Sequence, residues 1–168
     1  MNDFQTAFTY VTNLVYQPNH FTIREVQEEC QNSEYGAGIF QLDGKSVRFR
    51  VAKITPTKIG QFVALWEKDE NNKNRPFLYD ASPDLVVINT FTEHHFGQFI
   101  FPKKILASKN ILKTTRANGK MAFRVYPSWD TPTSQQAVAT QKWQLNFFID
   151  LSDARVATSQ ELLTLYTH

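Results

Sequence analysis

The chain of 168 residues carries 18 basic and 16 acidic residues, for a net charge of +2, and 42% of its residues are hydrophobic. This composition excludes a mainly disordered chain, and the length predicts one domain over residues 1–168. The single cysteine excludes an intrachain disulfide framework and a zinc site built from several cysteines. No apolar run reaches the roughly 18 residues of a membrane span, and the first residues lack the pattern of a secretory signal. We therefore expect a cytoplasmic protein that does not enter a membrane.

Charge is unevenly distributed along the chain. Residues 45–75 contain eight basic and three acidic residues, a net charge of +5, and residues 101–129 contain seven basic residues and no acid, a net charge of +7. Residues 76–100, between them, contain three acids and no lysine or arginine. If the two basic blocks fold onto one face, they form a surface for a polyanion. The alternative is that these side chains only solvate separate surfaces.

The first 35 residues are predicted to form two helices. Asp3 is a suitable N-cap, and the apolar residues of segment 4–11 recur at helical spacing. Residues 22–25 (TIRE) match a capping box, which predicts a second, short helix over 23–31. Cys30 would then be a small buried hydrophobic residue of that helix.

From residue 36 the apolar residues alternate with the period of β-strands, and Asp43-Gly44 predicts a hairpin turn. The apolar run at 84–89 predicts a strand buried on both faces. Strands are predicted at 37–42, 46–51, 62–66, 84–89, 94–101, 120–126 and 145–149, and helices at 103–108, 133–144 and 159–166. We therefore expect an α/β (α+β) fold, with a mixed core over 36–150 containing a sheet of about five to six strands flanked by helices, and a C-terminal helix within 151–168.

A first candidate phosphate site surrounds the Thr-Pro-Thr turn that follows strand 46–51. Hydroxyls, backbone N–H groups and cations in one turn can cradle a phosphate. The candidate residues are Arg50, Lys53, Thr55, Thr57 and Lys58. Strand alternation would place Lys53 on the apolar face, so either the register breaks at Ala52 or this lysine lines a pocket. The alternative is an exposed rim of positive charge.

A second candidate site lies near residue 124. Arg124, Tyr126 and Trp129 combine a cation with aromatic rings, a combination that stacks bases and holds phosphate. Gln141, on the following helix, could read a base edge. The alternatives are that Trp129 packs beneath its loop and that Gln141 caps a turn. His94 and His95 are adjacent on a strand and point to opposite faces, so they do not form a metal pair.

Four segments in order resemble the MepB family, a group of small bacterial proteins. They are AKITPTKIGQFV at 52–63, GQFIFPK at 97–103, RVYPSWD at 124–130 and TQKWQ at 140–144. Together the segments span most of residues 35–150. The resemblance implies a restriction-endonuclease-like α/β fold and a role in nucleic-acid binding.

Nucleases with that fold carry an Asp and then an (Asp/Glu)-x-Lys motif on adjacent strands, and the carboxylates hold Mg²⁺. Asp84 opens the buried strand here, and Lys103 follows the next strand at the motif position. Phe101 stands where the second carboxylate belongs, and a phenyl ring cannot bind Mg²⁺. We therefore expect Asp84 and Lys103 to be relics, with no catalytic residue, metal or cofactor, and we count Lys103 among the candidate phosphate-binding residues.

The leading hypothesis is a protein that binds nucleic acid, either DNA or RNA, or another phosphate ligand, on a basic surface. One alternative is a divergent Mg²⁺-dependent nuclease whose second carboxylate comes from Glu28, Glu34 or Glu67. Plasmid nicking in the presence of Mg²⁺ would reveal it. The other alternative is a protein-interaction module that meets an acidic partner with its basic face, and a salt titration on random DNA separates this module from the leading hypothesis.

Overall fold

A computed structural model describes residues 1–167, so His168, the last residue of the predicted C-terminal segment, lies outside the described residues. The strands are β1 (Ile23–Glu28), β2 (Gly38–Leu42), β3 (Lys45–Val51), β4 (Lys53–Ile54), β5 (Gln61–Ala64), β6 (Trp66–Lys68), β7 (Asn74–Pro76), β8 (Leu85–Phe91), β9 (Phe96–Pro102), β10 (Ala122–Val125) and β11 (Phe148–Asp150). The helices are α1 (Phe4–Val11), α2 (Lys103–Ser108), α3 (Gln135–Gln144) and α4 (Gln160–Tyr166). None of these helices has the length and apolar character needed to cross a membrane.

The main sheet has six strands in the order β1-β2-β3-β8-β9-β11. Strands β3 and β8 are parallel, and the other neighbouring pairs are antiparallel. Six of the seven residues of β8 are buried because both faces of the sheet are covered. Asp43 and Gly44 both have positive φ, at 48° and 82°, as a tight hairpin turn requires. The predicted α/β (α+β) class, the sheet of five to six strands and the hairpin are therefore confirmed.

The predicted second helix is wrong, because its residues form the edge strand β1. Segment 23–28 pairs antiparallel with β2, and a bulge interrupts the pairing where Glu25 takes a φ of +55°. Without β1, the backbone N–H and C=O groups at the edge of β2 would be unpaired. Pairing with β1 satisfies these groups more completely than a short capped helix could. Cys30, expected to be buried, is exposed for the same reason.

Two hydrophobic clusters cover the two faces of the main sheet. The first cluster packs α1, α4 and the π-helical turn 12–16 on one face. The second cluster packs β5, β10 and α2 on the other face and includes Phe101. The interior of the second cluster therefore supports a small sheet with the order β10-β5-β4, while β6 and β7 form a separate hairpin.

Arg50 joins the main sheet to the small sheet from a completely buried position. Its side chain is 0% exposed, and its Nε donates to the Ala64 carbonyl of β5 at 3.2 Å. Nη1 donates to the Glu29 carboxylate at 2.6 Å, and Nη2 donates to the Asn32 side-chain oxygen at 3.1 Å. Arg50 therefore cannot reach a phosphate, and its assignment to the candidate site is wrong. Strand alternation correctly places Arg48 and Arg50 on the face of β3 that points away from Val47 and Phe49. That second face is also covered, by the small sheet.

Removing the carboxylate partner of Arg50 should strongly destabilise the fold. Glu29 also faces Arg48 at 3.3 Å, so Glu29→Ala leaves two largely buried guanidinium groups without their anion. We expect the free energy of unfolding, measured by urea titration, to fall by about 3–5 kcal/mol. The control is Arg155→Ala, which breaks the ion pair of an arginine that is 91% exposed and should leave the free energy nearly unchanged. Equal effects of the two substitutions would contradict the role of Arg50.

Candidate nucleic-acid interface

The small sheet places one cation from each basic block on one face. Lys53 of β4 lies directly opposite Phe62 of β5, which lies directly opposite Arg124 of β10. Directly opposed residues project to the same side of a sheet, so Lys53 and Arg124 flank the Phe62 ring. The predicted register break occurs at Ala52, which is buried and donates its N–H to the Asn89 carbonyl at 2.9 Å. Lys53 is thereby released to the surface, with a side chain 30% exposed.

Arg124 also holds the Thr-Pro-Thr turn in place. Its Nη2 donates to the Thr55 hydroxyl at 2.7 Å, and its Nη1 donates to the Ile59 and Gly60 carbonyls at 3.4 and 3.3 Å. Thr57 and Lys58 are exposed in this turn. The structure therefore brings Thr55, Thr57 and Lys58 of the first candidate site together with Arg124 of the second. This is the arrangement expected if the two candidate sites form one surface.

A cleft runs between β10 and α3, and we call it the basic cleft. It consists of two adjoining cavities of about 410 and 300 Å³, which share Arg124, Tyr126, Ser134 and Ala137 in their walls. Four cationic residues line the basic cleft, and no Asp or Glu is among its lining residues. The cations are Lys58, Lys109, Lys120 and Arg124. The field inside the cleft is therefore positive along its length.

Lys109 and Lys120 were not singled out in the sequence. The only signal for them was the net charge of residues 101–129, because neither residue lies in a recognisable motif. Lys109 follows α2, and its ammonium lies 5.3 Å from the centre of the Trp143 ring on α3. Packing between α2 and α3 thus brings Lys109 to the cleft. The spacing of residues in the sequence could not predict this position, because it depends on tertiary contacts.

Tyr126 and Gln141 hold the cleft wall together, as the turn-capping alternative for Gln141 proposed, and their roles in base recognition stay predictions. Tyr126 is only 9% exposed, because its ring packs against Gly60. The Gln141 amide Nε2 donates to the Pro127 carbonyl at 3.0 Å and to the Asp130 carbonyl at 2.8 Å. Both side chains fasten loop 126–130 to its neighbours.

Trp129 is also a packing residue, as the alternative interpretation proposed. Its ring stacks on His95 with centroids 4.8 Å apart and meets Phe148 edge-on at 5.6 Å. The indole Nε1 is buried with no hydrogen-bond partner. In the same loop, burial raises the pKa of the Asp130 carboxyl. A hydrogen bond from the Gly60 backbone and the charge of His95 act in the opposite direction and offset part of this rise. These contacts favour the packing interpretation of Trp129, and stacking of a base on its ring stays a prediction.

Neither Asp84 nor Lys103 is among the residues that line the basic cleft. Asp84 directly precedes β8. The Asp84 carboxylate accepts from the Ser46 backbone N–H at 3.0 Å, and the Lys103 ammonium faces the Tyr79 carbonyl at 3.4 Å. Phe101 is 0% exposed in the second cluster. Within residues 1–167, no group of three or more His, Cys, Asp or Glu side chains is arranged to hold a metal ion.

The chain belongs to the MepB-like family, whose model matches residues 29–150. A solved structure described as the crystal structure of MepB is 37% identical in sequence and aligns with a TM-score of 0.76. That alignment covers 89% of this chain and 97% of the other. No curated protein matches the chain significantly. The family resemblance noted in the sequence is therefore confirmed.

Gly60 should be essential to the geometry of the Thr-Pro-Thr turn. It has a φ of +84°, and an added Cβ would lie 2.6 Å from the Tyr126 ring. Gly44 is the matched control, since its φ is +82° but an added Cβ would meet nothing within 4 Å. We expect Gly60→Ala to lower the free energy of unfolding by about 1–3 kcal/mol more than Gly44→Ala does, because only the former adds a steric clash. Equal losses in urea unfolding would show that Tyr126 does not constrain the turn.

Proposed function

We propose that this protein binds nucleic acid through the basic cleft, on a restriction-endonuclease-like scaffold, and does not cleave it. The observation that carries the proposal is the lining of the cleft by four cations without a carboxylate. A phosphate chain entering such a cleft meets attraction along its length and releases its condensed counterions. DNA and RNA share this phosphate chemistry, so both are ligand candidates.

Arg124 is the central contact in this proposal, because it borders both cavities. A guanidinium has five N–H donors, and the bonds to the Thr-Pro-Thr turn leave further donors for a phosphate oxygen. The turn also fixes the orientation of the group, so less side-chain entropy is lost on binding. Lys53, which pairs with Glu34 at 3.7 Å, would contribute less than the lysines of the cleft.

Binding without cleavage follows from the environment of Phe101. Phe101 of β9 stands at the position that would hold the second carboxylate of a nuclease motif. It lies directly opposite Val86 of β8. The Phe101 ring contacts Phe99, Trp143 and Phe147. A carboxylate there would be buried among aromatic rings, at a large desolvation cost. The Asp84 carboxylate instead accepts hydrogen bonds from Ser46.

Binding should show the salt dependence of a small number of phosphate contacts. If Lys58, Lys109, Lys120 and Arg124 each neutralise one phosphate, a plot of log affinity against log salt should have a slope of about −3 to −4. Lys109→Ala and Lys120→Ala should each weaken binding to all sequences similarly and flatten the slope by about 1. Fluorescence anisotropy with a labelled random oligonucleotide measures both quantities.

The matched control is Arg24→Ala, which removes one positive charge from the exposed edge strand β1. That strand lies at the opposite edge of the main sheet from β11, the strand that follows α3. Arg24→Ala should leave affinity and slope nearly unchanged. If it weakens binding as much as Lys109→Ala does, binding depends on overall charge and the cleft is not the site.

A further inference from the structure

A second concavity lies beside the basic cleft and has a different character. Its volume is about 590 Å³, which is within the range of small-molecule sites. Three aromatic residues line it: Tyr35, Phe62 and Trp66. Phe62 connects it to the cleft, because Phe62 lies directly opposite Arg124 across the small sheet. We call this concavity the aromatic pocket.

Two alanines create the space within the aromatic pocket. Phe62, Ala64 and Trp66 are alternate residues of one extended segment, so their side chains share a face. Ala64 lies directly opposite Ala122 of β10, and both line the pocket. Two methyl groups therefore stand between the larger Phe62 and Trp66 rings, and the surface is concave at that point.

Each aromatic ring of the pocket has a cation close to it. The Lys53 ammonium lies 4.6 Å from the centre of the Tyr35 ring, and the Lys68 ammonium lies 5.4 Å from the centre of the Trp66 ring. The Arg124 guanidinium carbon lies 5.9 Å from the centre of the Phe62 ring. Rings that adjoin cations are the combination that binds an unpaired base together with its phosphate.

A buried amide in the pocket wall has donors to spare. Asn32 lines the aromatic pocket and is only 7% exposed. Its side-chain oxygen accepts from Arg50 at 3.1 Å and from the Trp66 backbone N–H at 3.2 Å, but its Nδ2 has no partner. A buried polar group without a partner is normally satisfied by something additional, and a ligand in the pocket is one such source. The Glu34 carboxylate, also in the wall, supplies acceptors.

We propose that the aromatic pocket receives one unpaired nucleobase, so that the ligand of this protein is single-stranded nucleic acid. This inference rests on the proposed function, since the basic cleft would hold the phosphates that lead into the pocket. The position of Arg124 links the two sites, because it borders the cleft and adjoins the ring of Phe62. Paired bases in a duplex cannot enter a side pocket without leaving the stack, so single strands bind more tightly than duplexes.

The test compares a ten-residue oligothymidylate with an abasic chain of the same length and charge. The wild-type protein should bind oligothymidylate about 5- to 150-fold more tightly, which corresponds to stacking of one base. Trp66→Leu and Tyr35→Leu should reduce this preference while the salt slope stays the same. Ala122→Trp should remove it by filling the pocket with no change in charge. Tyr10→Leu, which alters an exposed ring elsewhere, is the matched control and should keep the preference.

The outcomes separate the two proposals. If the wild-type protein binds both chains equally and with a steep salt slope, the pocket inference is overturned and the proposed function stands. If it binds neither chain and also fails to bind a duplex of the same length, both are overturned. Circular dichroism melts verify that each variant is folded. If Trp66→Leu or Tyr35→Leu unfolds the protein, Ala122→Trp still tests the pocket inference, because a filled pocket that retains the preference overturns it.

Discussion

The buried Arg50 guanidinium is the constraint on which the rest of this structure depends. A fully buried charge is tolerated only when it is paired and hydrogen-bonded, and Arg50 meets this need with groups from two separate parts of the chain. Glu29 and Asn32 come from the segment between β1 and β2, and Ala64 comes from β5. The requirement to satisfy one cation therefore fixes the small sheet against the main sheet. It also places the Asn32 amide in the wall of the aromatic pocket.

The same contacts determine where charge remains available at the surface. Glu29 is used to neutralise Arg48 and Arg50, and Glu67 pairs with Arg75 at 3.0 Å. The lining of the basic cleft contains no acid, so its cations have no partner in the lining itself. On the opposite wall, Gln144 accepts from the Tyr126 N–H at 2.9 Å and donates to the Arg124 carbonyl at 2.8 Å. These hydrogen bonds fix α3 against the end of β10, so they hold the two walls of the cleft in place.

Local signals predicted those parts of the fold that local chemistry determines. The Asp43-Gly44 turn, the buried strand β8 and the Ser159 cap of α4 each follow from neighbouring residues. The misassigned β1 shows the opposite case, because its conformation depends on the open edge of β2. Arg50 looked exposed because alternation tells which face a side chain takes, and only tertiary packing tells whether that face is covered. The sequence assigned Lys53 and Arg124 to two separate candidate sites, although both lie on one face of the small sheet, and it missed Lys109, Lys120 and the aromatic pocket.

Lysine footprinting tests the basic cleft most directly, because it reports on individual side chains in the unaltered protein. The protein would be acetylated with and without a single-stranded oligonucleotide, and the modification rate at each lysine measured by mass spectrometry. We expect protection at Lys58, Lys109 and Lys120, and little change at Lys73, which is exposed between β6 and β7. Uniform protection of all four lysines, or protection of Lys73 without the lysines of the cleft, would contradict the account.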